Sequence, residues 1–206
     1  MKNVIVLLFS IALVLTLAAC GPKAKITSSW VDPSQKSYAA NDILVLGVSR
    51  SEASLKLWEN VFVDLLTKTD VRTMASYKVI GNVPDPDREI IEAAIKKTGA
   101  SSVLITHMVD SKSETQTYPG SIHFLPGGFY GGMYGYYGHT YQAVYTPPSN
   151  LTRTVVRLET NLYDVATAGL VWSAQSEAVN PKLLRTDFER IAGLLVADMK
   201  KNGVVQ

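Results

Sequence analysis

The sequence predicts an α/β fold: a single mixed sheet of about five to six strands with three helices packed on it, plus a C-terminal β-hairpin and helix. Three observations predict it. Ile43-Leu44-Val45-Leu46-Gly47-Val48 is a short continuous apolar run, the pattern of a strand buried on both faces. From there to Val109, strand-like runs alternate with segments whose apolar residues recur at helical spacing, which argues for a helix-covered sheet with right-handed crossovers. Between Arg153 and Tyr163, by contrast, Val156, Leu158, Thr160 and Leu162 alternate with Arg157, Glu159 and Asn161, as in an antiparallel strand with one solvated face.

Taken in order, a first strand is expected over Ile26 to Trp30, stopped by Val31-Asp32-Pro33, and the polar stretch Gln35 to Asn41 reads as a loop. The buried strand spans Asp42 to Ser49. Ser51 then offers an N-cap with Glu52 in the first turn, and Leu55, Trp58, Phe62, Leu65 and Leu66 form the apolar face of a helix ending near Lys68. Val71 to Ile80 reads as the next strand, closing with Tyr77-Lys78-Val79-Ile80 before a turn at Gly81-Asn82. Asp85 is expected to cap a helix with Pro86 at its first position, Ile91, Ala94 and Ile95 on one face, and Gly99 at its end. Ser102 to Val109 is again strand-like. After the strand at Arg153 to Tyr163, Asp164 to Gly169 makes a turn and Leu170-Val171-Trp172-Ser173 returns as the hairpin partner, ending near Val179. The last helix is expected to start at Asn180-Pro181, or at Thr186 with Glu189 completing a capping box, and to bury Leu184, Phe188, Ile191, Leu195 and Met199.

Residues 1–19 read as a lipoprotein signal peptide, with Lys2 ahead of an apolar run from Val4 to Ala19 and a small-residue cleavage site directly before Cys20. The run is 16 residues long, short of the roughly 20 that cross a bilayer as a helix. Cleavage makes Cys20 the N-terminus, lipidated through a thioether-linked diacylglycerol and usually a third acyl chain on its amine. At about 0.8 kcal/mol per buried methylene, two or three chains attach a protein lastingly. Residues 20–25 form a lipidated tether and 26–206 a single α/β domain. Gly21 stands where an Asp would favour inner-membrane retention in enteric bacteria, so the expected location is the outer membrane, facing the periplasm. Cys20 is the single cysteine, so no disulfide is expected and the core alone must hold the fold. Without the signal peptide, 19 basic side chains face 18 acidic ones, a net charge of +1 that carries no nucleic-acid footprint.

The domain is interrupted by a Gly/Tyr-rich insertion at 115–152 that contains no Asp, Glu, Lys or Arg, and seven of the ten tyrosines and seven of the fourteen glycines fall between Tyr118 and Tyr145. Glycine costs up to about 1 kcal/mol per helical position relative to alanine, so a long loop or a loosely paired ribbon is expected. Tyrosine offers a large apolar surface with a polar tip and glycine lets backbone conform to a partner, which makes Phe129, Tyr130, Tyr134, Tyr136 and Tyr137 candidate contact residues. The alternative is a mobile low-complexity insertion with no ligand.

No catalytic, cofactor-binding or metal-ligating residue is assigned. His107, His123 and His139 have no metal-ligand spacing, His107 lies in an apolar strand, and the other two flank the Gly-Tyr centre of the insertion, Phe124 to Gly138. There is no Gly-x-Ser-x-Gly elbow and no phosphate-binding glycine loop. Glu159 and Asp164 are the one carboxylate pair to consider, and a solvated strand face and a turn account for both.

Ser29-Trp30-Val31-Asp32-Pro33, the strand at Asp42 to Ser49, and Tyr163-Asp164-Val165-Ala166-Thr167-Ala168-Gly169-Leu170-Val171-Trp172 resemble a family of bacterial lipoproteins. The pattern of strand, Asp, Thr-x-Gly turn and Trp-bearing strand is also similar to envelope proteins with an anticodon-binding-like α/β domain. Among these are the curli secretion channel lipoprotein, the lipoprotein activators of penicillin-binding proteins and the N-terminal domain of TolB. Ala168 is an insertion relative to their usual Thr-Gly turn. The resemblance spans most of Lys25 to Val204 and implies protein binding in the periplasm, with Cys20 as the one functional residue it transfers. The expected function is therefore a membrane-anchored, non-enzymatic binding or assembly module with an envelope protein partner. A cell-wall or glycan-acting enzyme, or a subunit of an oligomeric envelope complex, are the alternatives.

Overall fold

A computed structural model describes residues 24–35, 38–81, 83, 85–118, 121–123, 144–146 and 149–206. Cys20 and the contact candidates Phe129, Tyr130, Tyr134, Tyr136 and Tyr137 lie outside the described residues. The elements are β1 (Ala24–Val31), β2 (Asp42–Val48), α1 (Glu52–Leu66), β3 (Arg72–Ala75), α2 (Tyr77–Ile80), α3 (Arg88–Thr98), β4 (Ser102–Tyr118), β5 (Ser121–His123), β6 (Val144–Thr146), β7 (Ser149–Asp164), β8 (Leu170–Val179) and α4 (Arg185–Lys201), with a short 3-10 turn at Pro33–Gln35. The chain divides into two units, residues 1–112 with 155–206, and residues 113–154.

The first unit is the expected α/β fold. Six strands form one mixed sheet in the order β1-β8-β7-β4-β2-β3. β2 lies parallel to both neighbours, β3 and β4, as strands joined through helices must. β8 pairs antiparallel with β7 and with β1, so the other half of the sheet is built from a hairpin and the returning first strand. Because side chains alternate across a strand, the apolar run in β2 serves two cores at once. Ile43 and Val45 join the large core with Trp58, Val61, Phe62 and Leu66 of α1 and Ile191, Ala192, Leu195, Val196 and Met199 of α4. Leu44 faces the other way, into a small core with Ala94 and Ala100, against which Val79, Ile80 and Ile95 pack.

The large core carries most of the apolar burial, at roughly 1.5–3 kcal/mol for each fully buried large side chain. Trp58 meets Phe62 and Phe188 edge-to-face, with ring centroids 5.0 and 5.6 Å apart. Trp172, fully buried, donates its indole N–H to Asp198 Oδ2 at 2.9 Å. Asp198 also accepts from Ser29 Oγ at 3.3 Å and from Asn202 Nδ2 at 3.0 Å, so one carboxylate joins β1, β8 and the last turn of α4. Past that turn Gly203 is left-handed (φ 70°), its N–H bonding Lys200 O while Val204 N–H bonds Met199 O; this Schellman closure folds Val204 and Val205 onto the core.

Another carboxylate, this one fully buried, organises the β2–β3 edge. β3 ends at Ala75, opposite Val45, and Ser76 N–H bonds Val45 O at 2.8 Å. The next donor on that edge of β2 is Gly47 N–H, with no strand residue left to receive it. Glu59, fully buried on α1, takes it at 2.9 Å and also accepts from Ser76 Oγ at 2.7 Å and Tyr77 N at 3.0 Å. Burial pushes the Glu59 carboxyl above its ordinary value, and these three bonds pull against that rise.

Several boundaries differ from expectation, each for a local reason. Tyr77–Ile80 is a helical turn rather than the end of a strand, because Glu59 captures Tyr77 N–H where the ladder would continue, and tertiary bonding overrides the β-propensity of Tyr and Val. α3 is capped by Asp87, whose side chain accepts from Ile90 N at 2.9 Å, and not by Asp85, which takes a positive φ of 53° ahead of Pro86. α4 starts at Arg185 because the buried carboxylate of Asp187 accepts from Lys182 N at 2.8 Å and Leu184 N at 3.4 Å. Glu189 pairs instead with Arg185 at 2.7 Å, and Leu184 stays exposed. The N-cap at Ser51, the left-handed Gly99 and the β8 boundaries are as expected.

In the second unit, β4 continues to Tyr118 and β7 begins at Ser149, so both ends of the expected insertion are strand. Ser113 and Thr154 hydroxyls meet at 2.9 Å and those of Thr115 and Thr152 at 3.1 Å. β5 and β6 pair antiparallel, with Ile122 opposite Tyr145, which is the ribbon that the composition allowed.

Glu59→Ala orphans three donors and is expected to cost about 3 kcal/mol or more in urea unfolding, at roughly 1–3 kcal/mol for each buried donor left unpaired. Since its folded pKa is raised, Glu59 contributes stability that is fully present below its ordinary value of 4.5 and is lost as pH rises through the folded value; Glu59→Gln is expected to remove that slope from a series of urea midpoints across pH. Asp198→Ala is expected to cost about 2 kcal/mol by stranding the Trp172 N–H, and combining it with Trp172→Phe is expected to cost less than the sum of the two.

Candidate functional site

α1 and α4, of 15 and 17 residues, cover one face of the sheet, whereas the 11-residue α3 and the single turn of α2 serve the other. α3 is amphipathic, and only Ala94 is buried along it. Ile91 and Ile95 stand half-exposed on its sheet-facing side. Opposite them, Val103 and Ile105 project from β4 and Tyr163 from β7, followed by Val165 in the β7–β8 turn. These six apolar side chains line a groove of ≈ 550 Å³ whose rim carries Glu92, Lys96, Asp164 and Ala168.

The rim is held rigidly. Asp164 accepts from Thr167 N at 3.0 Å and Thr167 Oγ1 at 2.6 Å, and the Thr167 hydroxyl bond holds its carboxyl below the ordinary range. Val165 N–H bonds Ser101 O at 2.9 Å, tying the turn to the start of β4. Ala168 of this turn sits in the left-handed region at φ 52°. Below the turn, Tyr38 and Ser102 share a hydroxyl bond at 2.6 Å, and burial raises the Tyr38 phenol.

Beyond Tyr163 the same sheet face turns polar and runs across four strands as a ladder of alternating charge. Lys25 of β1 lies 3.4 Å from Glu177 of β8, Glu177 lies 2.8 Å from Arg157 of β7, and Arg157 lies 3.1 Å from Asp110 of β4. Strand register sets this up, because Lys25 and Arg157 both sit directly opposite Glu177. The Arg157 bond lowers the Glu177 carboxyl, and Glu177 in turn raises the Arg157 guanidinium. Between the ladder and the groove, Asn161 donates to Glu159 Oε1 at 2.9 Å, and Asn161 Oδ1 and Asp110 Oδ1 are buried acceptors without a hydrogen-bond partner among the described residues. An apolar trough beside a fixed polar platform suits the docking of a protein segment, with apolar side chains seated in the trough and polar groups meeting the exposed charges of its rim.

The residues considered from sequence fall apart as chemistry. Glu159 is engaged by Asn161 and by Gln175 Nε2 at 3.4 Å, and Asp164 by Thr167, so the two carboxylates serve separate local bonds. His107 is half-buried on β4, level with Val48 of β2. Among the described residues, no three His, Cys, Asp or Glu side chains gather as a metal site. The sequence reading missed Glu59, although its place one helical turn from Leu55, Phe62 and Val63 put it on the buried face. It also missed the groove. The signal for it was Val103-Leu104-Ile105, apolar toward both faces, with only one short helix available to cover the second.

No protein-family profile matches the chain, and no curated protein does. Among solved structures, the chain is similar to a point variant of the PelC dodecamer from Paraburkholderia phytofirmans, with a TM-score of 0.44 and 13% identity over 85% of this chain and 96% of that one. The PelC dodecamer from the same organism scores 0.42 at 13% identity, with the same coverage. Lipoprotein GNA1162 from Neisseria meningitidis scores 0.41 at 14% identity, covering 78% of this chain and 99% of that one. The likeness is one of chain trace, and no residue role comes with it.

Proposed function

We propose that this chain is a bacterial envelope lipoprotein, anchored through Cys20 in the outer membrane and facing the periplasm, that binds another envelope protein without catalysing a reaction. The observation that carries the reading is the groove between α3 and the β4–β7 face. It is apolar at its base, charged at its rim and held by the Asp164–Thr167 turn, and it opens on the thinly covered side of the sheet. The leader ahead of Cys20 and the net charge near zero support an envelope location and a protein partner rather than a nucleic acid. Phe129, Tyr130, Tyr134, Tyr136 and Tyr137 supply a second, adaptable contact in this reading.

Photo-crosslinking in cells tests it. A photoreactive residue at Ile91 or at Tyr134 of the full chain is expected to capture one defined envelope protein, and the same probe at Lys201, at the end of α4, is expected to capture none. Lys96→Glu, on the exposed rim of the same groove, is expected to lower capture from position 91 by about tenfold, equivalent to ~1.4 kcal/mol of binding, while leaving the urea midpoint close to the parent's. Equal capture from all three probes would remove the groove from the binding role.

A further inference from the structure

We infer that Leu183 and Leu184 form a lipid-contacting knob that seats the domain against the bilayer, an inference resting on the reading of Cys20 as the lipidated residue. The two side chains are 59% and 56% exposed, which places them among the most exposed large apolar groups described. They occur side by side in the turn between β8 and α4, where mere connection asks for polar residues. The turn is also held in a costly shape. Leu183 takes a positive φ of 56° and Asn180 one of 50°, in the left-handed region that a β-carbon disfavours. Asp187 maintains that shape from within, since its buried carboxylate bonds the N–H groups of Lys182 and Leu184, one on each side of Leu183. A leucine strained outward and clamped on both flanks is a presented side chain rather than a slack one.

The position of the tether selects the occupant. Ala24, at the start of β1, pairs with Ala178, one residue before β8 ends at Val179. The knob turn therefore leaves the sheet at the end where the anchored strand enters it. Cys20 stands four Cα-to-Cα steps from Ala24, and Val179 four from Leu183, and four steps span at most about 14 Å. A bilayer holding the acyl chains of Cys20 is thus within reach of the two leucines. Exposed Lys182 adds the cation that anionic headgroups attract, whereas Arg185 is already engaged by Asp64 and Glu189. The chemistry is that of a shallow interfacial anchor, in which a small apolar insertion fixes the orientation of a protein whose attachment comes from lipid.

The test uses the full chain, processed in cells and extracted in detergent. Intact mass first reads acylation of Cys20. With that thiol in a thioether, Leu183→Cys, or Leu184→Cys should the first variant fold poorly, carries the only free thiol for a bimane label. The labelled protein is reconstituted into vesicles of phosphatidylethanolamine and phosphatidylglycerol bearing brominated acyl chains. Bimane at 183 or 184 is expected to be quenched several-fold more than bimane at Lys200→Cys near the far end of α4. Equal quenching on an acylated protein would overturn the knob and leave the anchor standing. An unmodified Cys20 would overturn the anchor and the knob with it.

Discussion

The arrangement depends on a carboxylate standing in for a missing length of strand. β3 stops after four residues, and the N–H of Gly47 that it would have bonded is received by Glu59 from the helix above. The same carboxylate holds the Ser76 hydroxyl and the Tyr77 N–H, so the chain turns away from the sheet at that point into α2. Everything after that turn, including the passage to α3 on the opposite face, inherits its direction. Burying a charge is costly in isolation, and the upward pressure on the Glu59 carboxyl records that cost, but each donor around it is also removed from water and would be orphaned without it.

From that turn comes the asymmetry that defines the surface of the first unit. α1 and α4 enclose the large core, closed at one end by Asp198 on Trp172 and by the Val204-Val205 tail. On the other face, Leu44 finds only Ala94 and Ala100 as buried partners, and α3 lies against β2 without reaching across β4 and β7. Val103, Ile105, Tyr163 and Val165 are left as the base of an open groove, and farther along the same face the Lys25–Glu177–Arg157–Asp110 ladder satisfies charge by charge what no helix covers. Ion pairs of this exposure add little to stability, of order 0–1 kcal/mol each, so their consequence is a fixed pattern of charge beside an apolar trough. A domain built this way has a thickly covered face that carries most of the apolar burial and a thinly covered face with an open groove.

Much of this was legible in the sequence. The continuous apolar run of β2 announced a doubly covered strand, and the strict alternation from Val156 to Leu162 announced a strand with one wet face; both periods are properties of the backbone that side chains report directly. Helix faces and the Ser51 and Gly99 ends were legible for the same reason. What escaped were long-range bonds between polar groups. Helical spacing places Glu59 on the buried face, but what it bonds there emerges only when Gly47 and Tyr77 are brought to it from 12 and 18 residues away, and so Tyr77-Lys78-Val79-Ile80 reads as strand. Asp187 escaped likewise, since its bonds to Lys182 and Leu184 depend on backbone in the left-handed region that no hydropathy pattern reports. The groove escaped because it is a shortage, a helix too short for the sheet it covers, and Val103-Leu104-Ile105 hints at that shortage in the sequence without placing it.

If the thinly covered side, α3 with the β4–β7 face, is the surface that meets a partner, association with the envelope must cover it. Amide hydrogen exchange of the full chain, compared between purified protein and protein retained in isolated cell envelopes, tests this most directly. Added protection over Arg88–Thr98 is expected in the envelope, with α1 and α4 unchanged. Unchanged exchange over α3, or protection gained on α1 and α4 instead, would contradict it.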